Sequence, residues 1–83
     1  MRIPRDISGR ELVRLLQKCY GYEVTRQTGS HIRLTRTGDA ARHLTIPDHA
    51  NVRIGTLSSI VGDVAEQVGL DRSAVINELF ENR

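Results

Sequence analysis

Residues 22–35, with the sequence YEVTRQTGSHIRLT, decide the fold of this 83-residue chain. Apolar and polar residues alternate on both sides of a Thr28-Gly29 pair, which is the pattern of two antiparallel strands joined by a tight turn. Keeping the apolar side chains on one face requires a three-residue loop, with Gly29 at a positive φ and Gln27 opposite His31. The sequence therefore predicts a β-hairpin with one apolar and one polar face.

A third strand is predicted after a second turn at residues 37–39, Thr-Gly-Asp. Leu44 and Ile46 alternate with polar residues until a proline ends the run. In the resulting sheet Arg33 lies near Thr45 and Thr35 near His43, and the face away from the apolar residues is open to solvent. The predicted members of this open face are His31, Arg33, Thr35, His43 and Thr45.

One helix is predicted before the hairpin. Ser8 and Glu11 have the spacing of a capping box, in which the first side chain accepts a hydrogen bond at the helix start. Apolar residues then repeat with helical period until Gly21 stops the pattern. We expect this helix from about Gly9 to Tyr20.

Two further helices are predicted after the strands. From Gly55 the apolar residues fall on one helical stripe, with Thr56 as a candidate N-cap and Gly69 as the stop. Asp71 is the candidate N-cap of a short last helix. The sequence thus describes an α+β domain with its helices on one face of a three-stranded antiparallel sheet. The apolar residues of the last helix are Val75, Ile76, Leu79 and Phe80.

The composition is that of one small folded domain. Hydrophobic residues make up 39% and charged residues 27% of the chain, which fits a folded domain better than a disordered one. A chain of 83 residues is too short for most cofactor-binding enzyme folds. No stretch is apolar enough to cross a membrane, and no secretion signal precedes the single cysteine. We expect a cytoplasmic protein.

Positive charge is concentrated in the middle of the chain. Between Val24 and Ile54 five arginines face only two aspartates, whereas acids exceed bases from Gly55 onward. Eleven of the 12 basic residues are arginine, whose guanidinium binds phosphate in a bidentate manner. Nucleic acid is therefore the first partner to consider, with an ordinary solvated basic face as the alternative.

His31 is the candidate for chemistry. It lies at a strand end on the open face, next to a glycine loop and among arginines. An imidazole gains and loses protons near neutral pH, and a ribonuclease that uses no metal needs such a group together with positive groups around the phosphate. An ordinary surface histidine is the alternative that the residues alone leave open.

A metal site and a serine nucleophile are both disfavoured. Cys19 and the three histidines, His31, His43 and His49, match no ligand spacing. Ser30 cannot use its neighbour His31 as a base, because adjacent strand residues face opposite ways. We therefore expect no metal and no cofactor.

Several segments, taken in order, resemble the HicA toxins, the small ribonucleases of type II toxin-antitoxin modules. The resemblance covers about residues 8 to 70. Its most specific parts are the Gly-Ser-His run, the Ile-Pro segment and the Gly-Thr-Leu helix start. The matching segments are residues 8–18, Gly21-Tyr22, RQTGSH at 26–31, LTIPDH at 44–49, and GTL at 55–57 with Ile60.

The resemblance implies a fold similar to the double-stranded-RNA-binding domain and an endoribonuclease that cleaves mRNA, an mRNA interferase. The essential histidine of that family, the one after Gly-Ser, is His31 here. A HicB-type antitoxin is expected to bind the domain and cover it. The chain would then be a single HicA-like domain, 1–83, with a core of about 8–70 and a C-terminal helical extension at 71–83.

The resulting hypothesis assigns each site residue a role. His31 is the general acid or base at the scissile phosphate. Arg26 and Arg33 hold phosphates, and Gly29 and Ser30 let the backbone approach the RNA. His43 and His49 are left as structural or RNA-facing residues.

Two other functions use the same residues differently. The basic open face could hold structured RNA without cutting it, which makes a non-catalytic RNA-binding module the main alternative. A pure interaction protein, which holds a partner through its last helix, is the third. In that case deletion of Asp71 to Arg83 abolishes activity and leaves the rest folded.

Overall fold

The computed structural model describes residues 3–36, 38 and 42–81. Most of the predicted second turn, at residues 37–39, falls outside them. The order helix, three strands, helix, helix is confirmed, and none of the described helices is long and apolar enough to cross a membrane. The elements are α1 (Gly9–Tyr20), β1 (Glu23–Thr28), β2 (His31–Arg36), β3 (Arg42–Pro47), α2 (Ile54–Val68), α3 (Arg72–Ile76) and a π-helical turn (Asn77–Glu81).

The sheet is an antiparallel meander in the order β1-β2-β3. Arg33 pairs with Thr45 and Thr35 with His43, as predicted. The hairpin loop differs from the prediction, because it contains two residues, Gly29 and Ser30, and Thr28 rather than Gln27 pairs with His31. Gly29 has a φ of 57°, as expected, and occupies the first central position of the turn, where type II′ turns need glycine.

A β-bulge at Thr25 accounts for the shorter loop. Val24 pairs with Leu34 and Arg26 with Arg33, so Thr25 is the extra residue. The bulge shifts the alternation of inward-facing and outward-facing side chains in β1 by one residue. The predicted three-residue loop would produce the same shift. Val24 therefore turns toward the helices but remains 46% exposed, and every residue of β1 is exposed.

Helix α1 begins and ends as the sequence predicts. The Ser8 Oγ accepts a 3.0 Å hydrogen bond from the backbone N–H of Glu11. At the other end Gly21 adopts a φ of 72°, and its N–H donates to the carbonyl of Gln17. Both ends of the helix are therefore set by local sequence.

Helix α2 begins earlier than predicted. It starts at Ile54, with Arg53 in the N-cap position, and Thr56 lies inside the first turn. The Thr56 cap is therefore wrong, whereas the stop at Gly69, with a φ of 74°, is confirmed. Arg53 has extended backbone angles but offers no side-chain oxygen to the first N–H groups of the helix.

The core lies between the sheet and the helices, and the end of the chain contributes to it. Asp71 occupies the N-cap position of α3 without a side-chain hydrogen bond. Arg72 fastens α3 to α2 through two 2.8 Å hydrogen bonds to Ser58, one to the carbonyl oxygen and one to Oγ. The apolar residues predicted for the last helix, Val75, Ile76, Leu79 and Phe80, are all buried.

Candidate nucleic-acid interface

The open face of the sheet is polar, as predicted. His31, Arg33, His43 and Thr45 are exposed, whereas Thr35 is only 9% exposed among its neighbours. The Thr35 hydroxyl is hydrogen-bonded to Thr25 Oγ1 at 2.8 Å and to His43 Nδ1 at 3.0 Å. The half of this face nearest His43 is therefore tied together by its own side chains.

Arg26 and Arg33 lie directly opposite each other on this face. The bulge at Thr25 produces this pairing, because it brings Arg26 into register with Arg33. No carboxylate of the described residues lies within 4 Å of either guanidinium. Like charges directly opposite on a sheet destabilise the folded state, so this pair favours a negatively charged ligand.

His31 stands at the end of the sheet where the loop and β3 meet. It is the first residue of β2 and is paired with Thr28 on one side and Pro47 on the other. Its side chain is exposed and makes no hydrogen bond within the described part of the chain. No described side chain therefore occupies the ring nitrogens, which leaves them accessible to a bound molecule.

A groove of about 340 Å³ extends from His31 toward the start of α2. Two of its lining residues, His31 and Thr45, were predicted for the open face. The sequence leaves His49 as a structural or RNA-facing residue, gives Arg53 no role in the site and predicts Thr56 only as a cap. The full lining is His31, Thr45, Pro47, His49, Arg53 and Thr56.

Long-range backbone hydrogen bonds hold the segment 48–52, which follows β3 and contributes His49 to the lining of this groove. The Asp48 N–H donates to the Ser30 carbonyl at 2.7 Å, and the His49 carbonyl accepts from the Gly9 N–H at 2.9 Å. The Val52 N–H donates to the Ile7 carbonyl at 2.8 Å. The segment is outside regular structure yet fixed to both the hairpin loop and the start of α1.

Gly9 allows the close approach that this arrangement needs. A Cβ at position 9 would lie only 1.9 Å from the Pro47 carbonyl oxygen. Any larger residue would therefore push α1 away from the end of β3. Gly9 therefore supports the wall of the groove, although it is not one of the residues that line it.

The start of α2 adds positive character to the groove. The first N–H groups of a helix have no partner within the helix, and they carry partial positive charge. In α1 this end is capped by Ser8 with Glu11 nearby, whereas the first turn of α2 has no acidic residue and Arg53 at its cap. No described carboxylate lies within 4 Å of the Arg53 guanidinium.

The structure brings the predicted site residues to one region. Gly29 and Ser30 form the loop before His31, and Arg26 and Arg33 follow along the same face. The predicted set therefore forms a continuous surface. The groove residues His49, Arg53 and Thr56 adjoin it. His49 and Thr56 lie in the LTIPDH and GTL segments of the sequence, but no pattern there assigned them to the site.

Cys19 lies apart from the histidines, against the π-helical turn. Its thiol donates to the Glu78 carbonyl at 3.7 Å. Burial, together with the negative charge of Glu78, raises the pKa of the Cys19 thiol, which disfavours the thiolate that a metal requires. The described residues contain no group of three or more His, Cys, Asp or Glu side chains arranged to hold a metal ion.

Comparison with known protein families identifies a matching family model. The family model described as the HicA toxin of bacterial toxin-antitoxin matches residues 9–70, which is most of the chain. No curated protein and no solved structure matches the sequence. The matched region includes the whole sheet, the hairpin loop and every residue that lines the groove.

Proposed function

The chain belongs to the HicA family of toxins from bacterial toxin-antitoxin systems, and on that basis we propose that it is an mRNA interferase, an endoribonuclease with His31 as its general acid or base. The observation that carries the proposal is the position of the His31 imidazole. It is exposed, without a partner among the described side chains, at the end of a face that holds two opposed arginines. An imidazole in this position is suited to proton transfer, and the two arginines beside it are suited to binding phosphate.

In the proposed reaction the 2′-hydroxyl of the RNA attacks the adjacent phosphorus. The bond from phosphorus to the 5′ oxygen breaks, which leaves a 2′,3′-cyclic phosphate and a 5′-hydroxyl. His31 accepts the proton of the 2′-hydroxyl or donates one to the departing oxygen. Arg26 and Arg33 bind phosphates, and the Gly29-Ser30 loop brings backbone close to the RNA.

The reaction needs no metal ion in this proposal, and it has a direct test. A labelled single-stranded RNA is incubated in EDTA with the wild type, His31→Ala and His43→Ala, and binding of each protein to the RNA is measured in parallel. His43 is the matched control because it is a second exposed histidine on the same face but is hydrogen-bonded to Thr35. We expect cleavage by the wild type and His43→Ala, and binding without cleavage by His31→Ala.

Two results would contradict the proposal. Cleavage that disappears in EDTA and returns with magnesium would show that a metal does the chemistry. Equal binding by all three proteins without any cleavage would favour an RNA-binding module that uses the same face. The two arms, cleavage and binding, therefore separate enzyme from binding module.

The partner in this proposal is a HicB-type antitoxin that covers the His31 face. The support is family membership, together with an open face on which His31, Arg33 and Thr45 are all exposed. Addition of such an antitoxin is expected to stop cleavage and to protect the amides of β2 from hydrogen exchange. Inhibition without protection of β2 would place the antitoxin elsewhere.

A further inference from the structure

We propose that the groove between the end of β3 and the start of α2 binds the scissile phosphate, and that His49 is a second catalytic residue, which transfers the proton that His31 does not. This inference rests on the proposed ribonuclease function. It adds a residue and a phosphate site that the sequence did not single out. The observation behind it is that His31 and His49 line one groove together with Arg53.

The reaction itself requires two proton transfers. As the phosphorus bond to the 2′ oxygen forms, the 2′-hydroxyl loses its proton, and as the bond to the 5′ oxygen breaks, that oxygen gains one. Two imidazoles, one neutral and one protonated, serve both transfers, and each ends in the state in which the other began. A groove with two histidines is therefore the arrangement that this chemistry uses.

His49 is available for such a transfer. Its residue is exposed, and its side chain makes no hydrogen bond within the described ranges. Only its backbone is engaged, since the His49 carbonyl accepts from the Gly9 N–H. His43 differs from His49 in two ways. Its ring is hydrogen-bonded to Thr35, and it does not line the groove.

The spacing of the two histidines is fixed by the backbone. Ser30 and Asp48, the residues before His31 and His49, are joined by a 2.7 Å hydrogen bond from the Asp48 N–H to the Ser30 carbonyl. Pro47 is paired with His31 in the sheet. Catalytic groups on rigid segments that are hydrogen-bonded to each other are already in position, so no free energy is needed to order them during the reaction.

The other lining residues suit a phosphate between the imidazoles. Arg53 supplies a guanidinium without a carboxylate partner among the described residues, and Thr56 supplies a hydroxyl from the first turn of α2. The N–H groups of that turn have no partner within the helix and carry partial positive charge, which favours an anion at this end. The volume, about 340 Å³, lies within the range of small-ligand pockets.

The first test compares His49→Ala and His49→Asn with the wild type on one labelled RNA in EDTA. Binding is measured on the same sequence with 2′-O-methyl sugars, which cannot be cut. We expect cleavage to fall by about 100-fold or more, because general acid-base groups contribute about 10²–10⁴-fold, while binding changes little. The asparagine keeps hydrogen-bonding capacity without proton transfer, so it also guards against a folding defect in the alanine variant.

The second test separates the two proton transfers. An RNA with sulfur in place of the 5′ bridging oxygen has a leaving group that departs without a proton. The variant that lacks the general acid should cut this RNA at nearly the wild-type rate, whereas the variant that lacks the base should not. Rescue of one of the two variants, His31→Ala or His49→Ala, supports the pair, and rescue of neither overturns it.

The outcomes also distinguish this inference from the proposed function. If the wild type cuts, His31→Ala does not, and His49→Ala cuts at the wild-type rate, His49 has no catalytic role and the ribonuclease proposal stands. If the wild type binds RNA and never cuts it, the ribonuclease proposal fails and this inference fails with it. The phosphate site predicts that Arg53→Gln binds non-cleavable RNA more weakly than the wild type does, and binding as tight as that of the wild type, or tighter, would overturn it.

Discussion

The backbone N–H of Asp48 donates a 2.7 Å hydrogen bond to the carbonyl oxygen of Ser30, which ties the end of β3 to the hairpin loop. Each of these residues immediately precedes a histidine of the groove. The bond therefore couples the position of His49 to that of His31. Whatever displaces the segment that follows Pro47 is expected to separate the two imidazoles.

The substitution Gly9→Ala is the cleanest way to displace that segment. Its Cβ would lie 1.9 Å from the Pro47 carbonyl oxygen, which is backbone and cannot rotate away. We expect a loss of about 1–3 kcal/mol in the free energy of unfolding, typical of overpacking, together with slower cleavage. Urea denaturation and the cleavage assay measure the two effects.

Gly55→Ala is the control for this prediction. A Cβ at position 55 meets nothing within 4 Å, and alanine favours the helical backbone over glycine by up to about 1 kcal/mol. The control should therefore be as stable as the wild type or more so. Equal stability of both alanine variants would contradict the contact between Gly9 and Pro47.

Removing one of the two opposed arginines should have effects of opposite sign on binding and on stability. Arg26→Gln and Arg33→Gln each remove a positive charge from the proposed RNA surface, so each should weaken RNA binding. The slope of log K against log salt should become shallower by about 0.7 for single-stranded RNA. The free protein should gain about 0.2–1 kcal/mol, because like charges no longer face each other.

Lys18→Gln serves as the matched control for the arginine variants. It removes one positive charge from the last turn of α1, away from the open face. It should change neither the salt slope nor the stability beyond about 0.5 kcal/mol, as for other surface substitutions. A slope that falls equally in all three variants would mean that only total charge matters.

The folded protein is expected to lose stability at high pH, because the pKa of Tyr20 is higher in the folded chain than in the unfolded chain. Burial, followed by the charge of Glu78, raises the pKa of Tyr20 from 10.0 to about 12, and its hydroxyl has no hydrogen bond of ordinary geometry in the described structure. The unfolded chain loses this proton near pH 10, whereas the folded chain keeps it until about pH 12. The contribution of Tyr20 to the free energy of unfolding is therefore fully present below pH 10 and is lost between pH 10 and 12.

The variant Tyr20→Phe removes the titrating hydroxyl and keeps the ring. Its free energy of unfolding should fall less than that of the wild type between pH 10 and 12, while the two proteins stay similar at pH 7. Denaturation curves across this range measure the difference. Parallel pH profiles would show that Tyr20 titrates alike in the folded and unfolded chains.

The last turn of the chain is expected to be required for folding. Leu79 is fully buried, so Leu79→Ala should cost about 2–5 kcal/mol through lost contacts and a cavity. For comparison, Leu70 is 42% exposed, and Leu70→Ala should change the stability by about 0.5 kcal/mol or less. Thermal unfolding of both variants tests this.

This prediction also separates two uses of the final helix. A pure interaction protein would lose partner binding and keep its fold when residues 71–83 are deleted. The burial of Val75, Leu79 and Phe80 instead predicts that this deletion unfolds the domain. A truncated chain with a cooperative unfolding transition would contradict the structural role.

The fold was predictable from the sequence because its signals are local and periodic. The Ser8 cap, the stops at Gly21 and Gly69, and the alternation around Leu44 each depend on residues within one turn or strand. The loop was mispredicted because unbroken alternation was assumed, whereas the bulge at Thr25 shifts the strand by one residue. Bulges leave little trace in a short alternating segment.

The groove was not predictable by the same reasoning. His49 lies in an irregular segment whose position is set by hydrogen bonds to Ser30, to Gly9 and between Val52 and Ile7. These partners are far apart in sequence, and no periodicity connects them. The sequence therefore indicated His31 and the neighbouring arginines, while the structure added the residues that share its groove.

The bulge at Thr25 also bears on how separate copies of the chain behave. β1 is an edge strand, exposed along its whole length, and an exposed edge is a template onto which another chain can add a strand. The bulge breaks the regular spacing of its outward N–H and C=O groups, between Val24 and Arg26. A second sheet cannot continue in register past this point, so we expect the residue that aligns the two arginines also to hinder strand addition at the β1 edge.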